Sequence, residues 1–356
     1  MSLRPFLPLL AILFLLSLIL GVQATEIRIT TDPADQTTPS IWESRIVWTD
    51  ARDKTLNVYL YDVGTGTETR LARGTKDRKN PAIWENLVAM EDMAQGSPNI
   101  LAYDLLSQSG RPIMTASANE KFPRVAGNFI VWETSRSGDN DIALYNYTGA
   151  REEKLPPSTG SRRSPAIWGN RMVWADTSSG ASAIRLYDIT TKAESPLTKG
   201  TSSQFNPWIY GNRVVWQDSR NGNADIYLYD TSTGIETRVT TDPADQRNPR
   251  IWGDRIIWED YRNGNPDIYM YTISTGKEQA LTKDQSVQRS PAIWGDRIVW
   301  EDYRNGNADI YMYEIPAVPG PSSPASGTQG QALPMPGILP VIGAALFLAI
   351  AGRRAR

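Results

Sequence analysis

None of the 356 residues is cysteine and none is histidine. The first absence excludes disulfides, thiolate-held zinc or iron–sulfur clusters and a cysteine nucleophile. The second excludes a Ser-His-Asp relay, histidine-ligated metals and an imidazole switch near neutral pH. Any chemistry is left to carboxylates, Tyr, Lys and Arg. Negative charge is missing from both ends of the chain. Residues 1–24 carry only Arg4, and residues 316–356 carry only Arg353, Arg354 and Arg356. All 39 Asp and Glu therefore lie between, against the remaining 33 of 37 Lys and Arg, a net charge of −6. A mildly acidic body of this kind has no general attraction for nucleic acid or anionic lipid.

The two ends read as addresses. Phe6 to Leu20 is an apolar run behind Arg4. Val22 and Ala24 are the small residues expected at the −3 and −1 positions of a cut between Ala24 and Thr25. Residues 1–24 are read as a secretory signal, with an uncleaved anchor as the other reading; either exports the body of the chain. Residues 316–336 are rich in Pro, Ser, Gly, Ala and Gln, the composition of an extended linker. Residues 337–356 join an apolar stretch, Gly337 to Gly352, to terminal arginines that stay in the cytoplasm if the stretch spans a membrane. Linker, Pro336-Gly337, apolar segment and arginines together resemble the C-terminal sorting tails of archaeal surface proteins, in which an archaeosortase removes the tail and a lipid takes its place. Ile338 stands where that family usually has Phe, and a retained transmembrane anchor is the alternative.

A period of 42 residues organises everything between. Pro39, Pro81, Pro123, Pro165, Pro207, Pro249 and Pro291 are evenly spaced, as are Tyr61, Tyr103, Tyr145, Tyr187, Tyr229, Tyr271 and Tyr313. A third set, Trp48, Met90, Trp132, Trp174, Trp216, Trp258 and Trp300, departs from Trp once. Such a period marks units that bury their faces against their neighbours. The residues choose strands over helices. Pro291 to Trp294, the turn Gly295-Asp296 and Arg297 to Asp302 form a hairpin of β-branched and aromatic runs. Asn305-Gly306 is a second hairpin signal before Asp309 to Tyr313. Four short strands with turns fill one propeller blade. The last copy stops after its third strand, and the missing fourth stands at the other end: Thr25 to Gln36 nearly repeats Ile235 to Gln246. The expectation is an all-β, seven-bladed β-propeller over residues 25–315, closed by the N-terminal strand pairing into the last blade.

Copies such as Asn248 to Tyr271, with Pro249, Trp258-Glu259-Asp260, Arg262-Asn263-Gly264-Asn265 and Asp267-Ile268-Tyr269 in order, resemble TolB-type propeller repeats in the version found on surface proteins of methanogenic archaea. The resemblance spans about residues 25–315 and implies a seven-bladed propeller outside the cell. TolB itself has an N-terminal α/β domain that this sequence lacks, and related lyases use histidine ligands.

Candidate sites follow from the blade plan. The Trp set could serve as a carbohydrate platform, but its strand spacing predicts inter-blade core. The loops Asp218 to Asp225, Asp260 to Asp267 and Asp302 to Asp309 have alternating oxygens like calcium loops but no closing bidentate Glu. Turns with Asp–Arg pairs are therefore expected there rather than calcium, and no cofactor or catalytic residue is assigned. The second-to-third and fourth-to-first connections share one rim and are long and polar, so that rim is the expected binding face. Its candidates are Asp218, Arg220, Asp260, Tyr261, Arg262, Asp302, Tyr303 and Arg304. On the innermost strand, the residue after each repeat Pro is Ser40, Ala82, Arg124, Ala166, Trp208, Arg250 or Ala292. Arg124, Trp208 and Arg250 break a small-residue pattern and are expected at the channel mouth, suited to an anion or glycan. Asn146-Tyr147-Thr148 is the only N-glycosylation sequon.

The expected function is a non-enzymatic, monomeric propeller anchored at its C-terminus on the outer side of the membrane, binding an envelope protein or glycan and no nucleic acid. Near-uniform blades favour this, because a catalytic site shows as a local departure from a repeat. The alternatives are a carboxylate-dependent glycosidase or lyase at the channel, which needs two carboxylates ~5–10 Å apart, and a purely structural surface-layer component.

Overall fold

A computed structural model of the chain describes residues 26–113, 119–135, 139–178 and 180–316. The signal segment with its Ala24–Thr25 cut, the linker beyond Pro316 and the tail lie outside the described residues. Among the described residues are 28 strands and no helix, so no helix there is long and apolar enough to cross a membrane. The strands form seven four-stranded antiparallel sheets, the seven-bladed propeller that the period predicts.

Blade 1 shows the plan. Its inner strand Gln36–Trp42 turns into Arg45–Asp50, then Asn57–Asp62, then the outer strand Thr67–Arg70. Blade 7 has three consecutive strands, Gln288–Trp294, Arg297–Asp302 and Asp309–Glu314, and takes Glu26–Arg28 as its outer strand. In this closure Glu26 faces Tyr313, Ile27 faces Met312 and Arg28 faces Tyr311. The Ile29 N–H donates to the Ile310 carbonyl at 2.8 Å, and Arg28 pairs with the buried Asp309 at 2.8 Å. Backbone bonds thus join the two ends of the ring, and the third strand of blade 7 keeps no open edge.

The core lies between blades. Trp48, Trp132, Trp174, Trp216, Trp258, Trp300 and Met90 are all fully buried, as their spacing predicts. In blades 1, 6 and 7 the indole N–H donates to an Asp two residues on, at 2.9 Å in each. Blade 3 has Thr134 in place of that Asp, and the buried Trp132 N–H has no partner.

The inner strands carry a second regularity. Each slips register around the repeat proline, and the residue before each Pro is left-handed, with φ near +53°. Pro supplies no N–H, and the α region is disfavoured ahead of it. A bulge results, with one backbone N–H turned out of the ladder. The preceding blade satisfies it. Glu91 accepts from Phe122 at 2.9 Å, Glu133 from Ser164 at 2.6 Å, Glu259 from Ser290 at 2.7 Å and Glu301 from Thr38 at 2.7 Å. In blade 1 Thr49 does the same for Asn80 at 3.0 Å. On the opposite rim, Arg45, Arg213 and Arg255 reach carbonyls in the turn of the next blade. Neighbouring blades are clasped at both rims.

Candidate functional site

The seven inner strands line a channel in three layers. Nearest the long loops are the left-handed residues before each Pro. Here the side chains bond to one another: Ser164 donates to Asn206 at 3.2 Å, Asn206 to Asn248 at 2.9 Å, and Asn80 to Glu91 at 2.7 Å. The second layer is the residue after each Pro. Ser40, Ala82, Ala166 and Ala292 are small and leave open a cavity of about 340 Å³. Arg124, Trp208 and Arg250 fill the rest of that layer. The third layer closes the channel at the short-turn end. Trp42, Trp84, Trp168, Tyr210, Trp252 and Trp294 converge there, with ring centroids 3.7 Å apart for Trp252–Trp294 and 5.2 Å for both Trp84–Trp168 and Trp168–Trp252. Blade 3 contributes only Ala126 at this position. The channel is therefore a funnel with an aromatic floor, entered from the long-loop side.

The three residues expected at the channel mouth come together, one layer deeper than the mouth. Trp208 of blade 5 carries the Arg250 guanidinium at 4.3 Å from its ring centroid and that of Arg124 at 5.5 Å. Cations over an indole face are attracted by its quadrupole. Each Arg donates one N–H to the carbonyl of the proline before it, at 2.9 Å for Arg124 and 2.8 Å for Arg250. The Arg124 Nε is buried without a partner. Burial lowers the pKa of both groups, and the nearby Arg124 charge lowers that of Arg250 further. Both stay cationic at neutral pH, because a guanidinium holds its proton very firmly. Two aromatic departures from the repeat stand nearby: Phe122 is 44% exposed and Phe205 is 36% exposed, both on inner strands.

The rim candidates divide. Asp218, Asp260 and Asp302, expected on an exposed rim, are completely buried. Each accepts the indole N–H of its own blade and a salt bridge at 2.6 Å from the Arg two residues on. Those arginines, Arg220, Arg262 and Arg304, lie 4.3–4.5 Å over Tyr227, Tyr269 and Tyr311 and reach on to Glu236, Glu278 and Glu26 of the outer strands. The charge pattern of the loop is thus folded into the blade, and only the positive φ of Gly222, Gly264 and Gly306 sets the turn. Tyr261 and Tyr303 are half-buried beside the funnel entrance. Tyr261 donates to Glu259 at 3.4 Å and Tyr303 to Glu301 at 3.3 Å. Burial raises the pKa of both hydroxyls, to about 12 for Tyr303, so they remain protonated donors. Asn146 lies half-buried at the third-to-outer turn of blade 3, where its Oδ1 accepts from the Gly149 N–H at 2.8 Å.

Sequence spacing singled out Arg124, Trp208 and Arg250 but missed both the aromatic floor and the carboxylate clasps. The signal for the floor was present: position 42 and its equivalents are aromatic in every copy but one. The Glu of Trp-Glu-Asp was visible as a motif, but its partner lies in the next blade.

No protein-family model matches the chain, and no curated protein matches it in sequence. Solved structures share the fold. An oligogalacturonate lyase in complex with manganese is 13% identical with a TM-score of 0.65, over 82% of this chain and 93% of that one. The β-propeller domain of the Trilobed protease from Pyrococcus furiosus, described as an open velcro topology, is 12% identical with a TM-score of 0.62, over 80% and 94%. TolB from Acinetobacter baumannii aligns over 73% and 76% at 14% identity, with a TM-score of 0.46. At these identities the first two likenesses show a propeller and nothing of its ligand.

Proposed function

We propose that this chain is a non-enzymatic binding module, displayed outside the cell, that takes its ligand into the funnel from the long-loop side. One observation carries the reading. The blades repeat closely, and their departures at Phe122, Arg124, Trp208 and Arg250 gather on the wall of the cavity. Packing alone gives no reason for three large side chains where the other four blades have Ser or Ala. The glutamates nearest the axis support binding over acid–base catalysis: Glu91, Glu133, Glu259 and Glu301 each accept a backbone N–H of the next blade. Display outside the cell rests on the sequence of residues 1–24 and 337–356.

The test is capture by the full chain on a glycan array and from envelope fractions, alongside Ala292→Trp, which fills the cavity from blade 7. The reading expects a component that the wild type captures and the filled variant loses. Capture that ignores the filled cavity would move the binding face elsewhere.

A further inference from the structure

The funnel holds two cations that no carboxylate of the described residues pairs directly. Among the described residues neither Arg124 nor Arg250 forms an ion pair, and their only hydrogen bonds run to the carbonyls of Pro123 and Pro249. Many other arginines of the ring are ion-paired, as in Arg52–Asp50 at 2.6 Å, Arg238–Asp225 at 2.9 Å and the Arg262 pairs. Arg124 and Arg250 are half-buried on the cavity wall, and a partly desolvated charge is costly unless something neutralises it. Glu133 and Glu91 act on Arg124 through space and Glu259 acts on Arg250, but none reaches ion-pair distance, and the Oε1 of each is held by a backbone N–H of the next blade, at 2.6 Å, 2.9 Å and 2.7 Å.

We propose that an oxyanion, a carboxylate or a phosphate at the end of a ligand, is bound between Arg124 and Arg250 at the depth of Trp208. This rests on the funnel being the ligand-binding face. Four observations on the molecule converge on it. The free edges of two guanidiniums present planar N–H donors suited to oxyanions. The opposite wall, Ser40, Ala82 and Ala292, leaves the space for the group to enter. The aromatic floor stops anything that reaches the pair, so the group bound there terminates the ligand and does not lie midway along a threaded polymer. Lys79, Lys121, Arg163, Arg247 and Arg289 occur at one equivalent position of the inner strands, at the long-loop end. Lys79, Arg247 and Arg289 are paired there with Glu91, Asp245 and Glu301, so among the described residues Lys121 and Arg163 carry the unbalanced positive charge that raises the local concentration of anions in a screening-dependent way.

The experiment is isothermal titration calorimetry of the full chain at low ionic strength with inorganic phosphate, acetate and, as neutral control, acetamide. Phosphate or acetate should bind and acetamide should not, and the stronger of the two identifies the kind of anionic end. Arg124→Gln or Arg250→Gln should each weaken binding at least tenfold, and the double variant should abolish it. Arg289→Gln, at the entrance, should weaken it less than threefold. Ala166→Glu keeps both arginines and tethers a carboxylate beside Arg124, so it should also abolish binding; this arm stands if the double variant does not fold. Failure of both anions to bind, or equal binding by the folded double or the Ala166→Glu variant, would overturn the site. If that happens while Ala292→Trp still abolishes ligand capture, the anion site falls and the binding-face reading survives. If the anions bind as stated while capture is indifferent to Ala292→Trp, the anion site survives and the binding-face reading falls.

Discussion

Removing one clasp between blades measures how the ring resists opening. Glu259 is 3% exposed; its Oε1 accepts the Ser290 N–H of blade 7 at 2.7 Å, and its Oε2 accepts the Tyr261 hydroxyl at 3.4 Å. Ser290 is left-handed at φ 54°, so its N–H has left the ladder and has no strand partner to return to. Glu259→Ala leaves that N–H without an acceptor, at a cost of about 1–3 kcal/mol. Loss of the buried side-chain methylenes adds about 1 kcal/mol. In a domain of this size 1 kcal/mol is about 2 °C in Tm, so the alanine variant should melt about 4–8 °C below the wild type. Glu259→Gln keeps the acceptor and should fall by about 2 °C at most. The pH dependence has a definite sign. Burial holds the Glu259 carboxyl above its ordinary range, against the pull of the Ser290 N–H and Asn248. The folded state therefore binds this proton more tightly than the unfolded state, and stability falls as pH rises from about 4.3 through the raised value. The glutamine variant lacks that loss, so it should gain on the wild type across that window. Thermal unfolding followed by circular dichroism from pH 4 to 8 reads both effects. An alanine variant within 1 °C of wild type, or one indistinguishable from the glutamine variant, would refute the clasp.

Thr134→Asp restores the acceptor that blade 3 lacks for the orphaned Trp132 N–H, and should raise Tm by about 2 °C; a fall would show that the site cannot take the carboxylate. Deleting residues 26–30 removes the outer strand of blade 7 with its backbone pairs and the Arg28–Asp309 bridge, and calorimetry should show a Tm at least ~5 °C lower. An unchanged Tm would mean that closure contributes nothing. Tyr303 holds its proton up to about 12, so the stability it contributes is fully present below its ordinary pKa near 10 and is lost as pH rises toward 12. Tyr303→Phe should therefore flatten the fall of Tm between pH 10 and 12, and an unaltered slope would rule out that coupling.

The fold was legible because a strict repeat converts local patterns into global geometry. Even the composite blade could be read, since residues 25–36 copy residues 235–246. The core Trp positions and the trio Arg124, Trp208 and Arg250 were legible for the same reason: one shows what a blade needs, the other shows where a blade departs from need. The loop aspartates misled because sequence shows charge but not direction. Asp260 lies in a polar loop motif, yet the strand pleat turns its carboxylate inward to the indole of Trp258. The clasps and the floor needed distances between blades. Glu301 and Thr38 are 263 residues apart, and nothing in either segment alone announces the other.

The oxyanion site is tested most directly in a crystal of the protein soaked in selenate, an oxyanion whose selenium can be located by anomalous scattering. A selenium peak is expected inside the funnel, within hydrogen-bonding reach of both Arg124 and Arg250 and above Trp208. An empty funnel, with selenate only on surface arginines such as Arg247 or Arg289, would contradict it.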